Sequence, residues 1–170
     1  MNSDGTGTIM LFGSSDLRQL PAGITEALDN YNKAGWSFVI GDGTGADEAF
    51  HHYLSMIGAR ARAHVVTVGT ARNNRYDFHN IVVDEEYNKD TEEVTVKLRE
   101  NGTEVYKVYG ITNEADLKAN DKIRQAADRT MLQMCDFAIC LWNGRSTTDM
   151  NIIQLANMRD IKCYVFKQGE

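Results

Sequence analysis

A junction of strand, glycine loop and helix constrains this chain more than any other feature: Ile40-Gly41-Asp42-Gly43-Thr44-Gly45-Ala46-Asp47-Glu48-Ala49-Phe50. The apolar run from Trp36 to Ile40 enters three glycines in five residues, and an amphipathic helix begins near Ala46. Glycines at such a junction let the backbone turn tightly and approach a ligand with no Cβ in the way. The free N–H groups of the helix's first turn, together with the helix dipole, favour an anion. This is the usual phosphate seat of α/β folds.

The flanking sequence repeats the rhythm. Thr8-Ile9-Met10-Leu11-Phe12-Gly13 reads as a buried strand, followed by the polar turn Ser14-Ser15-Asp16-Leu17. Pro21 suits the start of a helix, which Ile24, Ala27, Leu28 and Tyr31 continue at helical spacing. Ser37 to Ile40 is a second strand, Ala46 to about Ile57 a second helix, and Ala63 to Gly69 a third strand. Short connections between alternating strands and helices predict a mainly parallel sheet covered on both faces.

The rhythm breaks at Thr70. A polar stretch with scattered aromatics runs to about Asp90, then Val94 to Glu100 and Thr103 to Tyr109 each alternate apolar with polar residues around Asn101-Gly102. Two alternating runs joined by Asn-Gly predict a β-hairpin. We read residues 77–112 as a hairpin insertion in a single domain spanning 1–170, serving as a sheet-edge extension, a dimer surface or a lid. Helical periodicity returns from Ala115 to Met134, then a strand from Asp136 to Trp142, a polar loop from Asn143, a helix from about Asp149 to Met158 and a last strand, Lys162 to Phe166.

Composition narrows the function classes. A net charge of −6 argues against strong nucleic-acid binding, which needs a basic surface. No run approaches the roughly 18 apolar residues of a membrane span, and Met1 to Gly7 lacks a signal-peptide pattern, so a cytoplasmic location is expected. Cys135, Cys140 and Cys163 lie in or beside apolar runs without CxxC spacing and read as buried reduced thiols. The adjacent His51 and His52 point in different directions on a helix, and His64 and His79 have no partner at ligand spacing, so no metal is expected.

Ligands of open parallel sheets bind beyond the strands' carboxyl ends, near the point where strand order reverses. Three polar loops fall there: Gly13-Ser14-Ser15, Gly41 to Asp47, and Asn143-Gly144-Arg145-Ser146-Thr147-Thr148-Asp149. Arg145 suits bidentate phosphate binding. Ser146, Thr147 and Thr148 either donate to phosphate or ribose, or cap the following helix. Asp47 is a dipole partner, a ribose or base ligand, or the candidate catalytic acid; Asp42 is the other acid of the loop, suited to hold a ribose hydroxyl or a metal. Trp36 and Trp142 either stack on a base or belong to the core. Neither GxGxxG nor a Gly-Lys-Ser/Thr pattern is present, so P-loop hydrolysis is not expected.

Four segments resemble the SLOG superfamily, whose members include the Rossmann domain of DNA-processing protein A and the "lonely guy" phosphoribohydrolases. They are Phe12-Gly13-Ser14-Ser15-Asp16-Leu17; Gly41-Asp42-Gly43-Thr44-Gly45-Ala46-Asp47; Thr70-Ala71-Arg72-Asn73-Asn74; and Ala127-Asp128-Arg129-Thr130-Met131 with Cys135-Asp136 and Leu141-Trp142-Asn143-Gly144-Arg145-Ser146. The chain is most similar to the small stand-alone bacterial and phage members. The resemblance implies a modified Rossmann three-layer fold that binds a nucleotide or nucleotide-derived ligand between these loops. It implies binding roles for Gly13, Ser14, Gly41, Gly43, Gly45, Asp47, Gly144, Arg145 and Ser146, and second-rank ones for Arg72, Asp128 and Arg129. Relatives continue with Gly-Thr where this chain has Thr148-Asp149, and the Pro-Gly-Gly-x-Gly-Thr-x-x-Glu motif of the phosphoribohydrolases is absent.

The expected function is binding or sensing of a phosphorylated nucleotide-type ligand. The alternatives are an N-glycoside hydrolase or transferase using Asp47 or a neighbouring carboxylate, and an oligomeric interaction module. No further cofactor is implied; a homo-oligomer is expected.

Overall fold

The computed structural model describes residues 2–68, 71–88, 93–100, 103–111 and 126–168, with side chains up to residue 83 and from 127 onward. The Asn101-Gly102 turn, Gly69-Thr70 and the first part of the helix expected from Ala115 lie outside the described residues.

One sheet organises the chain. Its strands are β1 (Thr8–Gly13), β2 (Ser37–Ile40), β3 (Ala63–Val68), β4 (His79–Asn88), β5 (Glu93–Glu100), β6 (Thr103–Ile111), β7 (Phe137–Trp142) and β8 (Lys162–Lys167), in the order β6-β5-β4-β3-β2-β1-β7-β8. From β4 through β8 the neighbours pair in parallel, while β4–β5 and β5–β6 are antiparallel. The helices are α1 (Ala22–Lys33), α2 (Ala46–Met56), α3 (Ala126–Met134) and α4 (Thr147–Met158). The fold is a Rossmann-like three-layer α/β sandwich, as expected.

Burial on both faces explains the unbroken apolar strands. Alternate residues feed two cores. Ile9, Leu11, Phe38, Ile40, Ile139 and Leu141 face α1 and α2, packing with Ile24, Leu28, Phe50 and Leu54. Met10, Phe12, Val39, Val66, Ala138 and Cys140 face α3 and α4, packing with Met131, Leu132, Ile152 and Ala156. Trp36 belongs to the first core, edge-on to Tyr31 with ring centroids 5.1 Å apart. Trp142 packs on the second, its Nε1–H donating to Ser146 O at 3.1 Å.

The break after β3 has a structural basis. Parallel neighbours normally need a helical crossover of a dozen or more residues. Here β3 and β4 are joined through residues 69–78, and the loop puts Tyr76 and Phe78 against α2 where a helix would otherwise sit. Within the stretch read as an insertion, β4 pairs with β3 from His64↔His79 to Val68↔Val83, and its Ile81 and Val83 are core residues. The antiparallel pair β5–β6, with Glu100 opposite Thr103, then extends the sheet at that edge. Among the described residues no helix is long and apolar enough to cross a membrane.

Candidate functional site

Strand order reverses at β1. The chain adds β2, β3 and β4 on one side of it and β7 and β8 on the other. A cavity of about 370 Å³ opens beside this point, at the carboxyl ends of β1, β2 and β3. Its size lies within the roughly 300–1,000 Å³ of small-molecule sites. Phe12, Gly13, Gly41 to Gly43 and Val66 to Val68 form the strand-end wall. Ala127, Asp128 and Met131 of α3 and Thr148, Asp149 and Ile152 of α4 close it, with Asp47 entering from α2 and Arg72 at the margin.

Gly13 is what lets these walls meet. A Cβ there would strike Leu141 O and come within 2.8 Å of Ala46 Cβ. Gly45 has φ +71°, and a side chain would collide with the Ser15 backbone. These two glycines bring the β1, β2 and β7 loops into contact.

Three amides of the glycine loop already have acceptors. Gly43 N–H donates to Asp47 Oδ2 at 2.9 Å, Gly45 N–H to Glu48 Oε1 at 3.0 Å, and Ala46 N–H to Ser14 O at 3.2 Å. At the expected phosphate seat these three N–H groups therefore donate to the chain's own oxygens. Placing a carboxylate there satisfies the same dipole and donors that would bind a phosphate.

The facing loop is a braced cap. Asn143 Oδ1 accepts from Arg145 N and Ser146 N, each at 2.8 Å, and Ser146 Oγ accepts from Asp149 N at 3.3 Å, capping α4. Arg145 and Asn143 both turn to Asp16, at 3.4 and 2.9 Å. Of the sequence candidates, Gly13, Gly41, Asp42, Gly43, Asp47, Arg72 and Asp128 line the cavity. Ser15, Thr44, Gly45, Ala46, Arg129, Asn143, Gly144, Arg145, Ser146 and Thr147 are outside its lining.

Ser14 stands one layer behind. Its hydroxyl, 1% exposed, donates to Asp149 Oδ2 at 2.7 Å and accepts from Asn143 N at 3.0 Å. This buried bridge fixes Asp149, which stands with Thr148 where the relatives have Gly-Thr.

Three helices therefore deliver three carboxyl groups to one cavity. Burial pushes Asp47 up to about 7; the Gly43 N–H pulls it down, and the charges of Asp149, Asp42 and Glu48 push it further up. Burial pushes Asp128 up to about 8, aided by the charges of Asp47 and Asp149. Asp149 is raised by burial against the opposing hydrogen bonds of Ser14 and Ser146. Near neutral pH the cluster retains protons, so the cavity presents both carboxylic O–H donors and carboxylate acceptors. Among the described residues no three or more His, Cys, Asp or Glu groups are arranged to hold a metal ion.

The loop after β3 is clamped to the same wall. Asp42 accepts from Arg72 N at 2.7 Å and from its guanidinium at 3.3 Å, while Asn73 Nδ2 donates to Gly43 O at 3.3 Å. On the other side His51, 3% exposed, donates from Nε2 to Gly41 O at 2.7 Å. Burial lowers its pKa, which favours the neutral imidazole. No family model matches this chain, and no curated protein shows significant similarity to it.

Proposed function

We propose that the cavity beside β1 is a binding site for a nucleotide-type ligand. The observation that carries this reading is the convergence of Asp47, Asp128 and Asp149, from three different helices, on a cavity at the sheet's switch point. Carboxyl groups that both donate and accept suit the paired hydroxyls of a ribose, and the apolar Phe12, Val66, Met131 and Ile152 suit the flat face of a base. With the Gly43, Gly45 and Ala46 amides engaged, the reading puts the phosphate at the rim beside the exposed Arg72 side chain, which gives one guanidinium nitrogen to Asp42 and has others to offer. This agrees with the SLOG resemblance in ligand class and departs from it in phosphate position. Titration calorimetry with AMP tests the reading. Saturable binding that weakens about tenfold or more in Asp128→Leu supports it; heats no larger than dilution refute it.

The raised acids favour a second reading, N-glycoside hydrolysis. A protonated carboxyl would give its proton to the departing base as the C1′–N bond breaks with its electron pair on nitrogen. An ionised neighbour would stabilise the oxocarbenium-like centre, and water would add at C1′, losing its proton to the first carboxylate. Release of adenine from AMP, abolished in Asp47→Asn, is the expected result; equal release by that variant would refute a catalytic Asp47.

The free thiols Cys135, Cys140 and Cys163 suit a reducing cytoplasm. Self-association belongs to the same proposal, because among the described residues β6 is an edge strand of the sheet. Sedimentation equilibrium tests it: a mass above one chain supports it, and a 19.1 kDa species at all concentrations refutes it.

A further inference from the structure

A second cavity, of about 220 Å³, lies behind the wall of the first, between α2 and the loop after β3. Glu48, His51 and His52 of α2 line one side, and Asn73, Arg75 and Tyr76 line the other. We propose that it is a subsite for the second ring and bridging phosphate of a dinucleotide whose first half fills the main cavity. The proposal rests on the nucleotide reading of that cavity.

Size is the first argument. At about 220 Å³ the space is below the roughly 300 Å³ at which independent ligand pockets begin, so it suits part of a ligand. Chemistry is the second. Tyr76 is held in place rather than loose: its hydroxyl is bonded to His52 Nδ1 at 2.7 Å, and its ring lies 6.0 Å from both His52 and Phe78. A fixed aromatic ring is a stacking platform for a base. Arg75, beside it, is exposed and pairs with no carboxylate among the described residues. Guanidinium next to an aromatic ring is the pairing that a phosphorylated base needs. Glu48 is the opposing charge, and it is already engaged. It accepts from Gly45 N and from Arg18, both at 3.0 Å, and the Gly45 N–H is the largest influence holding its carboxyl below the usual range.

Connection is the third argument. The glycine loop and the loop after β3 contribute to both cavities. Gly41 and Gly43 face the main cavity while their carbonyls accept from His51 and Asn73 of the second. Arg72 lines the first cavity, and Asn73, next in the chain, lines the second. A phosphate bridge crossing at Arg72 would join two rings, one in each cavity. Arg75 takes the bridge's far side.

The test compares AMP with the linear dinucleotide pApA by titration calorimetry on the full chain. In the unmodified protein pApA binds about tenfold or more tightly than AMP. Arg75→Ala and, separately, the charge-neutral Tyr76→Leu bring pApA to within about threefold of AMP and leave AMP unchanged. Circular dichroism melting confirms that each variant is folded. Equal affinity of the unmodified protein for both probes overturns the subsite and leaves the main cavity standing. So does equal weakening of both probes by either variant. Binding of neither probe overturns the nucleotide reading and the subsite together.

Discussion

Asp128 concentrates the physics of the site at the scale of one residue. Its carboxyl lines the cavity among like charges and is raised to about 8. In an unfolded chain it would titrate near 3.8. The folded protein therefore binds more protons than the unfolded one between these values, and stability falls as pH rises through that window. Asp47, raised to about 7, acts in the same direction. His51, with its lowered pKa, opposes them below about 6.5, because the unfolded chain then takes up the proton. The clean window is thus pH 6.5 to 8.5. Over it the melting temperature is expected to fall, and Asp128→Asn is expected to raise it at pH 8.5, by about 2–4 °C for each kcal/mol relieved. Calorimetric melts across the window check this; a variant no more stable than its parent at pH 8.5 would show that the carboxyl is not strained. Ser14→Ala makes the opposite prediction. It removes a buried hydroxyl that Asp149 and Asn143 share, and should cost about 1–3 kcal/mol by urea denaturation. The sequence displayed Asp47 and Asp128 as candidates because their motifs stand in it. It did not display how Asp149 is held beside them, because the Ser14 hydroxyl that fixes it lies 135 positions away.

Elements show where local chemistry was enough and where it was not. The glycine junction was legible because Gly45 needs φ +71° and Gly13 has no room for a Cβ, requirements that write themselves into residue type. Gly45→Ala should therefore destabilise by more than about 3 kcal/mol or abolish soluble expression; a variant with unchanged melting would contradict the close approach of the Ser15 backbone. What occupies the helix start was not legible. Carboxylate and phosphate satisfy the same amides, and only the structure shows Asp47 and Glu48 turning back onto Gly43 and Gly45. β4 was obscured for a different reason. Its core side chains, Ile81 and Val83, follow a loop instead of a helix, so the strand reads as part of the polar break before it. If β4 is core, Ile81→Ala should cost about 2–4 kcal/mol in urea denaturation. A cost below about 1 kcal/mol would mean that β4 is dispensable to the core.

The whole molecule follows from one asymmetry. Strands added on both sides of β1 leave a crevice at the switch point, and helices α3 and α4 on one face and α2 on the other bring acids to it. Unbroken apolar runs made the parallel part of the sheet readable, since burial on both faces leaves a continuous hydrophobic signature. The cavity is a property of the assembled sheet, so its acid lining appears only when distant segments meet. The second cavity was invisible for the same reason: His52 and Tyr76 are separate polar-aromatic residues until the loop folds onto α2. The most direct test of the central claim is mass spectrometry of small molecules released by denaturing freshly purified protein, followed by calorimetry with the molecule found. The structure-based reading predicts a ribose-containing phosphorylated compound whose binding Asp128→Leu weakens at least about tenfold. Release of no such compound, together with no calorimetric binding of AMP, would contradict it.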